Sequence, residues 1–137
     1  MKDLEKIITK ELLRRVLPKE IENLSNNFSF YIDEDNIVFN DDGEMQFEYC
    51  IYKFAFKCKE WALIRGYSLL SGRPIVRDEE GTQVFNYWYN CYIWEIDENS
   101  IDSPTQNTKI ETNSETEPEA IIKACEWILK EQNNDTK

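Results

Sequence analysis

The 137-residue sequence predicts an α+β fold: a small antiparallel sheet packed between helices as an α-β-α sandwich, extended at its N-terminus by a helix and a β-hairpin. Three stretches carry that prediction. Residues 45–66 repeat apolar side chains at steps of four and three, the spacing of a helix face. Residues 82–96, TQVFNYWYNCYIWEI, alternate aromatic and β-branched side chains at period two, as a strand does. Residues 116–129 open on a capping box and continue as a clean apolar stripe. With 41% hydrophobic and 13% aromatic residues, the chain has enough apolar material for one domain with its own core. The expected division is an extension over 1–44, the sandwich over 45–132 and a frayed tail over 133–137.

Taken in order, Asp3 to Val16 sets Leu4, Ile7, Ile8, Leu12 and Val16 on one helical face. Pro18 interrupts that helix but suits the first turn of another, so Leu17 to Leu24 reads as a short helix turning Ile21 and Leu24 inward. Phe28 to Ile32 and Ile37 to Phe39 read as a hairpin around a four-residue loop, Asp33-Glu34-Asp35-Asn36. Asp41-Asp42-Gly43 then turns the chain into the central helix, Met45 to Gly66. That helix carries two apolar rows. Phe47, Ile51, Phe54, Cys58 and Trp61 form the first; Tyr49, Tyr52, Phe56 and Leu63 form the second, which must meet another layer, a partner or water. Gly66 supplies a left-handed helix end. Tyr67 to Ser71 is a short strand and Gly72 to Gly81 a loop. Residues 82–96 are long for one strand, so they bend, or split into a hairpin near Asn86 or Asn90. Asp97 to Asn107 reads as a mobile loop, Thr108 to Thr112 as a weaker strand, and Thr116-Glu117-Pro118-Glu119 as the start of the last helix, which buries Ala120, Ile121, Ala124, Cys125, Ile128 and Leu129.

Composition narrows function mainly by exclusion. The chain contains no histidine, which removes the Ser-His and Cys-His nucleophile pairs and the commonest zinc ligand. Its four glycines form neither a phosphate-binding loop nor a dinucleotide fingerprint. An EF-hand loop counted from Asp33 would put Ile37 at a ligand position and Val38 where glycine is required, so DEDNIVFNDDGE is a solvated hairpin rather than a calcium site. Cys50, Cys58, Cys91 and Cys125 lack metal or redox spacing and read as small buried apolar groups. No run is long enough to span a membrane and the charged start is not a signal peptide, so a cytosolic protein is expected, without cofactor or metal.

Charge is the strongest surface signal. A net charge of −11 argues against binding nucleic acid through the whole surface. Asp33, Glu34, Asp35, Asp41, Asp42 and Glu44 form an acidic run. Between Lys53 and Arg77, six basic residues face one acid, so a local basic patch (Lys53, Lys57, Lys59, Arg65, Arg73, Arg77) remains open. Lys53 and Lys57 are like charges at i,i+4 with no counter-ion at that spacing, an arrangement that suits an anion. The aromatic strand is either a sheet face or a stacking platform for bases. Candidate partner-binding residues are therefore Tyr52, Lys53, Phe56, Lys57, Arg65, Arg73, Arg77, Trp88 and Tyr92.

Residues 57–132 resemble the small phage and prophage proteins described as a phage α-β-α sandwich. The resemblance lies in Lys57-Cys58-Lys59-Glu60-Trp61-Ala62 leading to Gly66-Tyr67, in Cys91-Tyr92-Ile93-Trp94, and in the run from Thr116 to Trp127. It implies no catalytic residues. It does imply a mobile-element setting in a bacterial host cytosol, where small acidic proteins often inhibit defence systems, CRISPR nucleases included. The expected function is therefore non-enzymatic: an inhibitor that binds a defence nuclease or its ribonucleoprotein, contacting the effector protein and its guide RNA. An RNA-binding module using residues 53–77 and a self-associating structural phage component are the alternatives.

Overall fold

The computed structural model describes residues 3–96 and 108–135, and the mobile loop expected at Asp97 to Asn107 lies outside them. The fold is α+β, with four helices and eight strands among the described residues, the strands divided into three small antiparallel sheets. No described helix is long and apolar enough to cross a membrane.

The expected first helix is two: α1 (Leu4–Ile7) and α2 (Lys10–Val16). Ile8 adopts an extended conformation and Thr9 caps α2, its hydroxyl accepting from Leu12 N at 3.1 Å. The apolar periodicity crosses this break, which is why sequence alone joins the two. Residues 18–23 are turns rather than a second helix, yet Ile21 is still buried.

β1 (Ser29–Asp33), β2 (Asn36–Asp41) and β3 (Glu44–Cys50) form a meander. Asp33 pairs with Asn36, so the expected four-residue loop is a two-residue turn, Glu34-Asp35, with Glu34 at φ 53°. Asp42 (φ 55°) and Gly43 (φ 79°) make the second tight turn. An Asp-Gly pair with both φ values positive matches the twist of a hairpin. The chain therefore returns as β3 instead of entering a helix, and the helix expected from Met45 starts at Ile51. Met45, Phe47 and Tyr49 fit period two as well as helix spacing, and stacking of Phe47 on Phe39 (4.6 Å, 17°) goes with the strand.

Helix α3 (Ile51–Ile64) begins where Ile51 N donates to Asp35 O at 2.8 Å and ends before Gly66, whose φ is 93°. β4 (Tyr67–Gly72) and β5 (Ile75–Arg77) run out; β6 (Gln83–Phe85) and β7 (Tyr89–Glu95) run back, pairing β5 with β6 and β4 with β7. The aromatic stretch thus bends at Asn86, whose N–H donates to Pro74 O at 2.7 Å. The expected loop at 72–81 contains β5 and a turn tied by Asp78, whose carboxylate accepts from Glu80 N and Thr82 N, each at 2.9 Å. The result is one long hairpin whose outer half, β5–β6, forms an arm. β8 (Thr108–Ser114) completes the β4–β7–β8 sheet. α4 (Glu117–Asp135) follows, with Glu119 N donating to Thr116 Oγ1 at 3.4 Å. The helix continues to Asp135 through most of the expected frayed tail.

A single apolar core joins these parts. Ile51, Phe54, Cys58 and Trp61 of α3 and Ala120, Ile121, Ala124, Cys125 and Ile128 of α4 pack with Cys91 and Ile93 of β7, with Leu12 and Leu13 of α2, and with Ile37 and Phe39 of β2. The other side of the β4–β7–β8 sheet is more open, with Leu70 exposed and Tyr92 and Trp94 half-buried.

Candidate functional site

The buried row of α3 fixes the direction of the other row. Because Ile51, Phe54, Cys58 and Trp61 face the core, Tyr52, Phe56 and Leu63 face outward, and they are 53%, 65% and 57% exposed. The N-terminal module does not cover them. Ile64, at the end of the helix, is also exposed, and sequence periodicity gave no signal for it.

Tyr52 and Phe56 form a ridge between two hollows. One, about 180 Å³, lies against the start of α4 and is lined by Ala55, Lys59, Glu117, Pro118 and Ile121 besides the two aromatics. The other, about 520 Å³, is lined on the far side by Tyr49, Lys53, Lys57 and Glu60. The ridge is therefore an apolar surface with Lys59 and Glu117 on one flank and Lys53, Lys57 and Glu60 on the other.

Lys53 and Lys57, on the same flank, differ. Lys57 donates to Glu20 at 2.8 Å, and this bond raises the Lys57 ammonium and lowers the Glu20 carboxyl from their usual values. The helix offers Lys57 no counter-ion at i,i+4 spacing, and Glu20, thirty-seven positions away, supplies the anion instead. Lys53 is exposed. Arg65 lies over the Trp61 ring at 5.8 Å.

Arg73 and Arg77 do not join the α3 lysines, so the expected basic patch is divided between two elements. Arg73 donates to Asn86 O at 2.7 Å and lies over the rings of Phe85 (5.7 Å) and Tyr89 (5.4 Å). Arg77 donates to Gly81 O at 2.8 Å. Both guanidiniums brace the arm. Around them Ile75, Phe85, Tyr87 and Trp88 are exposed, a surface hidden in the sequence because Phe85 and Tyr87 share their alternation with the buried Cys91 and Ile93. Pro74 and the turn residues 78–82 are the signal that marks where the strand leaves the core. Trp88 packs edge-on against Tyr87 at 5.3 Å, and the Tyr92 hydroxyl accepts from Asn90 at 3.3 Å.

The acidic run is divided too. Asp33, Glu34 and Asp35 lie at one end of the β1–β3 meander and Asp41, Asp42 and Glu44 at the other. Asp41 accepts from Ser25, through its hydroxyl and its N–H (2.8 Å), which lowers its carboxyl from the usual value.

Cys58, Cys91 and Cys125 are buried and Cys50 half-buried, all with free thiols. Cys125 donates to Cys58 O at 3.4 Å, and burial pushes the Cys91 thiol up to about 12. Among the described residues no group of three or more His, Cys, Asp or Glu side chains could hold a metal ion. No protein-family model, curated protein or solved structure matches the chain.

Proposed function

We propose that this protein acts by binding, and that its partner is a basic, nucleic-acid-handling protein, specifically an RNA-guided defence nuclease that it inhibits as a phage or prophage accessory factor. The observation that carries the reading is the outward row of α3: three large apolar side chains, each more than half exposed, on a rigid helix whose opposite face is locked into the core. Aromatic residues on a rigid element form contact surface at low entropic cost, and interface centres are enriched in them. Net charge selects the partner class, since a surface carrying −11 is attracted to a basic guide or target channel and repelled by free nucleic acid. The resemblance of residues 57–132 to phage sandwich proteins supplies the biological setting.

The RNA-binding alternative draws less support. Lys57 is paired with Glu20, and Arg73 and Arg77 are engaged within the arm, so three of the expected phosphate contacts already hold protein acceptors. The test is association of the purified protein with effector ribonucleoproteins of its bacterial hosts, with and without guide. The expected result is a complex with the effector that weakens as salt rises and does not form with guide RNA alone. Binding to guide RNA alone, or to no effector, overturns the reading.

A further inference from the structure

The open side of the β4–β7–β8 sheet carries a hollow remote in sequence from the α3 ridge, and its lining is chemically different. It has a volume of about 390 Å³ and is formed by Asn86, Trp88, Asn90, Glu111 and Asn113. Asn90 pairs with Asn113 across β7 and β8, and Glu111 stands two residues along β8 on the same face. This is the Tyr89–Ser114 end of the strand pair, opposite the end where Trp94 and Thr108 pair.

The lining is built rather than incidental. Asn90 is 7% exposed, and its amide nitrogen donates to the Tyr92 hydroxyl at 3.3 Å. With the Asn113 amide oriented so that its nitrogen donates, it reaches Asn90 Oδ1 at 2.6 Å and Glu111 Oε1 at 3.1 Å. These bonds hold two amides and a carboxylate in fixed directions. Asn86 is pinned through its backbone by Pro74 O and by Arg73, each at 2.7 Å, and Trp88 is steadied by Tyr87. The hollow thus offers one aromatic side chain, amides that both donate and accept, and one carboxylate that only accepts.

That combination selects a ligand class. No lysine or arginine side chain lines the hollow, Arg73 and Lys123 being bonded instead to the backbone carbonyls of Asn86 and Asn113, so a phosphate or carboxylate ligand would meet Glu111 with no cation in the lining. A wholly apolar ligand would strip water from the amides and return no hydrogen bonds. A neutral ring with hydroxyls around its edge and C–H bonds on its face satisfies both demands, and the volume lies near the lower end of the roughly 300–1,000 Å³ usual for small-ligand sites. We propose that this hollow binds a neutral sugar, with the pyranose face on the Trp88 indole and the ring hydroxyls bonded to Asn86, Asn113 and Glu111. The site is independent of the α3 ridge, so either can fail without the other.

The test is titration of the full chain with glucose, mannose, galactose, N-acetylglucosamine and their disaccharides, read from the side-chain amide signals of Asn86, Asn90 and Asn113 and the indole signal of Trp88. One of these sugars is expected to shift those signals saturably. Trp88→Ala should weaken that binding by about tenfold or more, and Tyr52→Ala should leave it unchanged. Trp88 is 44% exposed, so its replacement leaves the fold intact, and an unaltered thermal melt verifies this. Absence of saturable shifts with every sugar, shifts mapping elsewhere, or stronger shifts of the same signals by a single-stranded oligonucleotide overturns the proposal.

Discussion

Glu126 shows how one side chain links distant segments. It is buried on α4, and Thr9, the residue that caps α2, donates to it at 2.7 Å. Burial raises the Glu126 carboxyl from its usual value, and the Thr9 bond opposes that shift without cancelling it; Lys130 and Glu11 act weakly in opposite directions. Because the folded value lies above the unfolded one, the native state holds more protons than the unfolded state between the two values, so this carboxyl costs stability as pH rises from about 4.5 through the folded value and keeps that cost above it. Glu126→Gln keeps an acceptor for Thr9 and removes the charge. It should raise Tm at neutral pH by a few degrees and flatten the fall of Tm as pH rises from about 4.5 through the raised folded value. A lower Tm at neutral pH would mean that the charged bond to Thr9 outweighs the cost of burial. The cysteines give a second check at this scale: a bulky thiol reagent should modify Cys50 in the native protein, and Cys58, Cys91 and Cys125 only after unfolding.

Among the elements, α3 gives the sharpest contrast between its two rows. Trp61 is 6% exposed, and Trp61→Ala should cost about 3–5 kcal/mol, much of a total stability of about 5–15 kcal/mol. Tyr52→Ala and Phe56→Ala should each leave Tm within a few degrees. Equal, large losses in all three would contradict the division of the helix into a core face and a free face. Gly43→Ala tests the β2–β3 turn in the same way: at φ 79° an L side chain is strained, and the change should cost about 1–2 kcal/mol although nothing lies within 4 Å of the added carbon. The two rows of α3, the Thr116 hydroxyl at the start of α4 and the strand at Tyr67 were legible because each rests on local spacing. The start of α3 was not, because Phe47 and Ile51 satisfy helix spacing while β2 offers Phe47 a strand partner. The arm escaped for a related reason: alternation shows which side chains share a face, but not where along the strand the core ends. The lysines, the arginines and the acidic turns lie exposed or half-buried, and their separation into different elements depends on pairings such as Lys57 with Glu20 that spacing does not encode.

At the scale of the whole molecule, one core joins α1, α2 and the meander to α3, α4 and the second sheet, leaving three kinds of surface around it: the α3 ridge, the arm and the open sheet face. The net charge of −11 means that association with a basic partner should slow steeply as ionic strength rises, whereas dissociation should depend mainly on the apolar ridge. The proposed inhibition is tested most directly by protection of a targeted plasmid or phage in a bacterium that carries an RNA-guided defence nuclease, comparing the native protein with the Tyr52→Ala/Phe56→Ala double variant and recording both melts. The native protein should protect, and the variant should melt within a few degrees of it and lose protection. Protection retained by a folded double variant, or no protection by the native protein against any such nuclease, would contradict the proposal.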